Sequence, residues 1–444
     1  MISPLVYHSA HQNPVLLCCI DQAPHNYDRL KVMDFYSRSA LFLSLAVLLT
    51  YVNHRFIRMQ ATIAIMTASL TLSLMLIALQ HIGIIDIAHM IQPIIPRQGF
   101  QHLLLQGMLS FLLFAGALAV DIQAFRAQRW EIGTLASAST VASCVLIGLI
   151  MQPILAALGI QMPLLYCLLF GALISATDPI AVLNTFKSLN APPALQAAIS
   201  GESLFNDGVS IVLYTMLFEL TFLHKSIALT TVLMLFLKQS IGGLSYGIFL
   251  AICTLWLIKP IEDAKVILLV TLGMVSGGYS LALWLGISGP LAMVMLGLII
   301  GARLNKVTAI STEKSVREFW ELLDEILNAI LFLLMGFEII TINLSSTALL
   351  ISAIMIAVVL MIRMVTVAVP IGLIHLKKRQ APRTIALLTW GGLRGGLALA
   401  LALALPQSSN LDLIVSITYA VVAFSVIVQG LSIHKLLAPP KQAR

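Results

Sequence analysis

Apolar blocks of about twenty residues recur along nearly the whole chain, each long enough to cross a hydrocarbon core of roughly 30 Å as a helix. The pattern predicts thirteen spans: 35–52, 60–79, 101–121, 131–152, 163–187, 197–223, 227–258, 265–285, 288–303, 320–341, 345–374, 383–405 and 411–434. The span at 227–258 is overlong and carries Lys238 and the Gly242-Gly243 pair, so two pieces remain an alternative there. Residues 1–32 break the pattern. They are polar and His-bearing, and they lack the charged leader, apolar stretch and cleavage site of a signal peptide. Met33 opens M-D-F-Y-S-R and leads directly into the first span, which makes it a candidate start, with a regulatory tail as the alternative. Residues 435–444 form a short tail, too short for a soluble sensor domain.

Composition agrees with the blocks. The chain is 59% apolar and 10% charged, against roughly 45–50% and about 25% in soluble domains. The expected class is an all-α polytopic membrane protein. Lys and Arg collect in cytoplasmic loops. Loops after odd-numbered spans, with the C-terminal tail, hold 18 of the 26 basic residues, and loops after even-numbered spans hold only Arg97 and Lys225. That bias puts the N-terminus outside and the C-terminus in the cytoplasm of an inner (plasma) membrane. Splitting 227–258 into two full spans would spoil it. The net charge of +7 therefore reads as topology. No basic run is long or aromatic enough to suggest nucleic acid. The five cysteines have no metal-ligand spacing, and no cofactor is expected.

Against this background the polar spots inside spans carry the information, because a charge in hydrocarbon costs about 2.5–3.5 kcal/mol on insertion scales and faces a pathway or a partner. Four places stand out, while Lys238 and Arg363 also lie inside spans without a motif around them. In S-A-T-D-P (175–179), Pro179 donates no backbone hydrogen bond and disfavours helical geometry at Asp178, so the helix breaks and Thr177 and its neighbours present free carbonyls beside a carboxylate. The plainer alternative is a kink with Asp178 capping the next half-helix. In G-E-S-L-F-N-D-G (201–208), Glu202 and Asn206, and Ser203 and Asp207, form two adjacent columns on one helix side. The alternative is an Asn206-Asp207-Gly208 turn. In T-W-G-G-L-R-G-G-L-A-L-A (389–400), four glycines bracket Arg394, which predicts an unwound or tightly packed helix with a guanidinium seeking a carboxylate. The alternative is close packing with a snorkelling Arg. In 319–332, Phe319, Trp320 and Glu321 suggest an interfacial anchor and Asn328 lies inside the span.

Taken as two halves, 35–223 and 265–434 with 227–258 as connector, the chain puts Asp178 and Arg394 at corresponding depths. Paired broken helices point to an inverted-repeat transporter with its site near the midplane.

These motifs, in this order and spacing, resemble the cation:proton antiporters that include the bacterial NhaP type and the animal sodium/proton exchangers. The residues that carry the resemblance are A-T-D-P-I-A-V, G-E-S-L-F-N-D-G-V-S-I-V-L-Y and W-G-G-L-R-G-G-L-A-L-A-L-A, with 111–121, 319–338 and 421–430 in support. The resemblance covers residues 35–434 and implies a fold with two discontinuous crossing helices. It implies that Asp207 binds the cation or the proton in turn, with Asp178, Ser203, Thr177 and Asn206 around it. Asp207 and Asp178 would hold only the transported Na⁺. Asn206, where electrogenic relatives have a second Asp, implies electroneutral exchange. Glu202 and Arg394 would form a structural ion pair. A homodimer is implied, and so is a role in pH and sodium homeostasis.

Physical reasoning agrees on the exchange. Asp178, Glu202, Asp207 and Arg394 total −2 when ionised, which a small cation or a proton would reduce by one. Hard oxygen ligands suit Na⁺ and Li⁺. An intramembrane hydrolase would need a nucleophile with its base or an H-E-x-x-H trio, and neither is present, so no enzyme is expected. A channel filter motif is also missing. An antiporter for K⁺ or another ion on the same fold is the serious alternative.

Overall fold

The structure is a computed structural model and describes residues 35–82, 103–180, 182–183, 186, 192–222, 229–342, 345–374 and 382–437. The N-terminal extension, Met33, Arg97 and Lys225 lie outside the described residues. Those described are mostly helical, and the β-type pairing among them is a single bridge, Asp178 with Leu393.

Each expected span has its helix or interrupted helix. In chain order these are α1 (Phe35–Val52), α2 (Ala61–His81), α3 (Leu109–Leu118), α4 (Thr140–Ala157), α5 (Leu164–Ser175), α6 (Pro193–Phe222), α7 (Leu229–Ile258), α8 (Ala264–Trp284), α9 (Gly289–Val307), α10 (Ile310–Glu338), α11 (Ser346–Ile374), α12 (Pro382–Trp390), α13 (Gly396–Leu403) and α14 (Ser409–Phe424). Helices α12 and α13 are the two halves of one interrupted pass. Among the described residues, eight helical stretches are individually long and apolar enough to cross a membrane, with α3 and α5 as shorter apolar helices.

Helices in lipid must satisfy their backbone internally, and small hydroxyls follow the same rule here. Thr50, Thr215, Thr221 and Ser276 each donate back to the carbonyl four residues earlier, at 2.6–2.8 Å. Ends that reach polar surroundings are capped: Asp263 accepts from Lys265 N at the start of α8, and Ser288 from Leu291 N at the start of α9. Large apolar side chains face outward, with Met234 71%, Trp256 74% and Trp284 82% exposed. Such a belt is the lipid-facing surface of a membrane protein.

The overlong span is one continuous helix, α7. Its glycines serve close packing. A Cβ on Gly243 would lie 2.6 Å from the Ser288 carbonyl oxygen and one on Gly247 2.5 Å from that of Ala292, so only glycine lets α7 sit directly on the start of α9. Gly242-Gly243 marks contact with a neighbour and not a break. The expected anchor is also corrected. Trp320 is 1% exposed, stacked on Phe111 and met edge-on by Phe114 and Phe319, with Nε1 donating to Thr271 at 3.2 Å. Burial with a hydrogen-bonded N–H is a core position, because α10 turns that face toward α3 and α8.

Candidate ion-binding site

The centre of the molecule is the meeting of two interrupted helices. Helix α5 stops at Ser175, Ala176 is extended (φ −59°, ψ 141°), and residues 180, 182, 183 and 186 are helical again after Pro179. Helix α12 stops at Trp390 and α13 resumes at Gly396. The extended pieces run antiparallel and touch, the Asp178 N–H donating to the Leu393 carbonyl at 2.7 Å.

Breaking two helices inside a membrane frees backbone groups that must find partners, and the surrounding side chains supply them. The Ala176 carbonyl accepts from Arg394 Nη1 at 3.1 Å. Thr177 N–H donates to Asn206 Oδ1 at 3.3 Å, while Asn206 Nδ2 donates to Thr177 Oγ1 at 2.6 Å. Ser203 Oγ lies 3.0 Å from the same threonine hydroxyl. Asp178 Oδ1 accepts from Ile180 N–H at 2.9 Å, so this carboxylate does cap the second half-helix. On the other strand, Gln429 Nε2 donates to the Trp390 carbonyl at 3.2 Å, Arg394 N–H donates to Ser425 Oγ at 2.8 Å, and Ser425 in turn donates to Gln429 Oε1 at 2.6 Å.

Glycines keep this crossing dense. A Cβ on Gly395 would sit 2.5 Å from Asp178 Cβ, and one on Gly392 2.7 Å from Arg363 Nε. Gly392 and Gly395 therefore make room for two charged side chains as well as for an unwound backbone.

One cleft of about 750 Å³ reaches the crossing. Thr177, Asp178 and Asp207 line it, together with Asp324 and Asn328 of α10. Asp178 and Asp207 are close enough for each to feel the other's charge. Ser203 and Asn206 are 3% and 0% exposed and stand behind Thr177, gripping it. The stretch Asn206-Asp207-Gly208 lies inside α6 and is not a turn.

The expected ion pair needs correction. Glu202 Oε1 is 2.6 Å from Arg363 Nη1, with the two side chains 2% and 5% exposed, and no salt bridge joins Glu202 to Arg394 among the described residues. The unwound backbone explains the change: it carries Arg394 across to the Ala176 carbonyl, while α11 brings Arg363 alongside α6. Arg363 Nη2 also donates to the Leu388 carbonyl of α12 at 3.3 Å, so one guanidinium ties α6, α11 and α12 together. Arg363 had been a lone charge in an apolar span, the same kind of signal as Arg394 without the surrounding motif. Ser425 and Gln429 were within 421–430 but had no charge to single them out.

A polytopic helical bundle with two broken helices crossing over a pair of half-buried carboxylates is the architecture of an ion-coupled secondary transporter. The sodium/hydrogen exchanger transmembrane family matches residues 42–438, and the chain belongs to that family. It is 41% identical over 403 residues to the Na⁺/H⁺ antiporter NhaP of Pseudomonas aeruginosa, covering 90% of this chain and 95% of the relative. It is 33% identical over 344 residues to the Na⁺/H⁺ antiporter NhaH of Halobacillus dabanensis, covering 76% and 83%. The fold is similar to that of the sodium proton antiporter MjNhaP1 of Methanocaldococcus jannaschii, with a TM-score of 0.70, 19% identity, and 90% and 96% of the two chains covered.

Proposed function

We propose that the protein is an antiporter exchanging Na⁺ or Li⁺ for H⁺ across the cell membrane, and that Asp207 is the carboxylate whose occupant alternates. The observation that carries this reading is the pairing of Asp207 with Asp178 in one cleft at the helix crossing. A carboxylate there binds either a cation or a proton but not both, and that competition alone couples the two fluxes.

The charge balance is sharper than the motif count implied. With Arg363 included, the carboxylates of Asp178, Glu202 and Asp207 and the guanidinium groups of Arg363 and Arg394 sum to −1 when these five groups are ionised. One monovalent cation or one proton brings that to zero. Thr177 supplies oxygen beside the carboxylates, and Ser203 and Asn206 hold Thr177 in place, so they shape the cation shell through it. Glu202 and Arg363 bind the moving elements into one body. The loss of the expected Glu202–Arg394 contact leaves Arg394 bracing the Ala176 carbonyl.

The cleft runs from this site toward Asp121, Arg317 and Glu321. These lie at the end that the basic-residue bias assigns to the cytoplasm, which supports an inward-facing state with the C-terminus inside. Exchange then requires the crossing to move against the rest of the bundle. A homodimer buries part of the exposed apolar belt.

The test is proton flux in proteoliposomes driven separately by Na⁺, Li⁺, K⁺ and choline. Wild type responds to Na⁺ or Li⁺, and Asp207→Asn inserts normally but is inert. A response to K⁺ alone replaces the cation in this reading, and robust Na⁺ exchange by Asp207→Asn overturns the site.

A further inference from the structure

Part of the cleft belongs to none of the groups above. Helix α10 turns Asp324 and Asn328, one helical turn apart, into the same cavity as Asp207 and Asp178. Asn328 is 2% exposed, yet its amide oxygen has no hydrogen-bond partner among the described residues. Its amide nitrogen makes a loose hydrogen bond to the Asp324 carboxylate one turn away. A buried amide oxygen left without a donor or a cation costs about 1–3 kcal/mol, a loss that a ligand in the cleft offsets. Asp324 also feels the charge of Asp178, which puts this carboxylate in electrostatic contact with the crossing. Glu321 and Glu325, on the same helix, are exposed and line the cleft beyond it.

We propose that Asp324 and Asn328 form a second cation station, occupied by a monovalent ion on its way between the mouth of the cleft and the Asp207–Asp178 site. The chemistry is specific. A carboxylate oxygen and an amide oxygen on one helix face are two hard ligands for an ion that keeps part of its water shell. The amide nitrogen donates to the Asp324 carboxylate and holds the two ligands side by side. An ion leaving bulk solvent is then stripped in two stages instead of one. Removing the station weakens loading at all stages equally, which raises KM more than it lowers the maximal rate.

This inference rests on the proposed cation exchange, and the test separates the two. Na⁺-driven proton flux is measured against Na⁺ concentration for wild type, Asp324→Asn, Asn328→Leu and Asp324→Glu. The first two variants are expected to raise the apparent KM by about tenfold, the equivalent of ~1.4 kcal/mol, with a much smaller fall in maximal rate. Asp324→Glu recovers most of the wild-type KM. An unchanged KM in both Asp324→Asn and Asn328→Leu overturns the station. The second measurement needs no transport: thermal melting of purified Asp207→Asn in Na⁺ against choline. A Na⁺-dependent rise that disappears in Asp207→Asn combined with Asp324→Asn supports a separate station, and no Na⁺-dependent rise in Asp207→Asn overturns it. Wild type that exchanges no Na⁺ rejects the functional reading, while the melting comparison still decides the station.

Discussion

The guanidinium of Arg363 meets the carboxylate of Glu202 at 2.6 Å, with neither side chain more than 5% exposed. This contact joins α11 to α6 immediately behind the helix crossing. Removing one partner of a buried pair leaves an uncompensated charge and costs about 3–5 kcal/mol. Glu202→Ala and Arg363→Ala are each expected to melt well below wild type in detergent, and the double variant above the worse single. Combining Glu202→Ala with Arg394→Ala gives no such recovery, since Arg394 binds the Ala176 carbonyl. Recovery with Arg394 and not with Arg363 would assign the pair the other way.

The second prediction concerns pH. A protonated Asp207 cannot hold a cation, so raising the pH frees sites and lowers the apparent KM for Na⁺. The fall is up to about tenfold per pH unit while the site remains mostly protonated. At the alkaline end the rate is limited by proton supply, and at the acid end saturating Na⁺ restores it. Initial rates over two pH units at several Na⁺ concentrations test this, and a KM that stays flat argues against a shared site.

The third prediction separates two glycines. Gly395 is extended (φ −113°, ψ −166°), a backbone conformation open to any residue, so its constraint is steric. An added Cβ would come 2.5 Å from Asp178 Cβ and 2.9 Å from its Cγ. Gly395→Ala must push Asp178 off the bridge to Leu393, at about 1–3 kcal/mol of overpacking, and is expected to lose transport. Gly277, in α8, has nothing within 4 Å of its added Cβ. Gly277→Ala should be within about 1 kcal/mol of neutral and keep its exchange rate. Equal loss of transport in both would show that helix flexibility, and not room for Asp178, is what these glycines supply.

These residues also mark what was legible in the chain. The all-helical, many-span architecture followed from apolar length alone, because a membrane demands internally bonded helices and leaves few other arrangements. The breaks at Pro179 and at the glycines of 391–396 were legible because each is a local chemical reason for a helix to stop. Partner choice was not. Whether Glu202 reaches Arg363 or Arg394 depends on how far the unwound backbone carries Arg394, a tertiary quantity that no local spacing encodes. Gly242 and Gly243 failed in the opposite direction. A glycine pair that reads as a break is a contact surface when a neighbour's carbonyl sits 2.6 Å from where a Cβ would be. Trp320 was misplaced for a related reason: the same aromatic residue suits an interface or a core, and only the packing of α3 and α8 around it decides.

The last prediction is the stoichiometry of exchange. Asn206 is fully buried, and both ends of its amide are committed to Thr177, Oδ1 to the backbone N–H at 3.3 Å and Nδ2 to the hydroxyl at 2.6 Å. It therefore holds the broken helix and offers no titrating group. Glu202 is neutralised by Arg363. Asp178 has Oδ1 engaged by the Ile180 N–H at 2.9 Å, and the proposed carboxylate that changes occupant is Asp207. One Na⁺ inward or outward against one proton moves no net charge, so the cycle is expected to be electroneutral. The measurement is Na⁺-driven proton flux in liposomes, with potassium and valinomycin setting the membrane potential at 0 or about −100 mV. One net charge per cycle would make that potential worth about 2.3 kcal/mol, enough to shift the reversal point visibly. An unmoved reversal point is the expected result. A reversal point that follows voltage means that a second carboxylate carries a proton. Asp178→Asn and Asp324→Asn, each tested for return to voltage independence, would then identify which one.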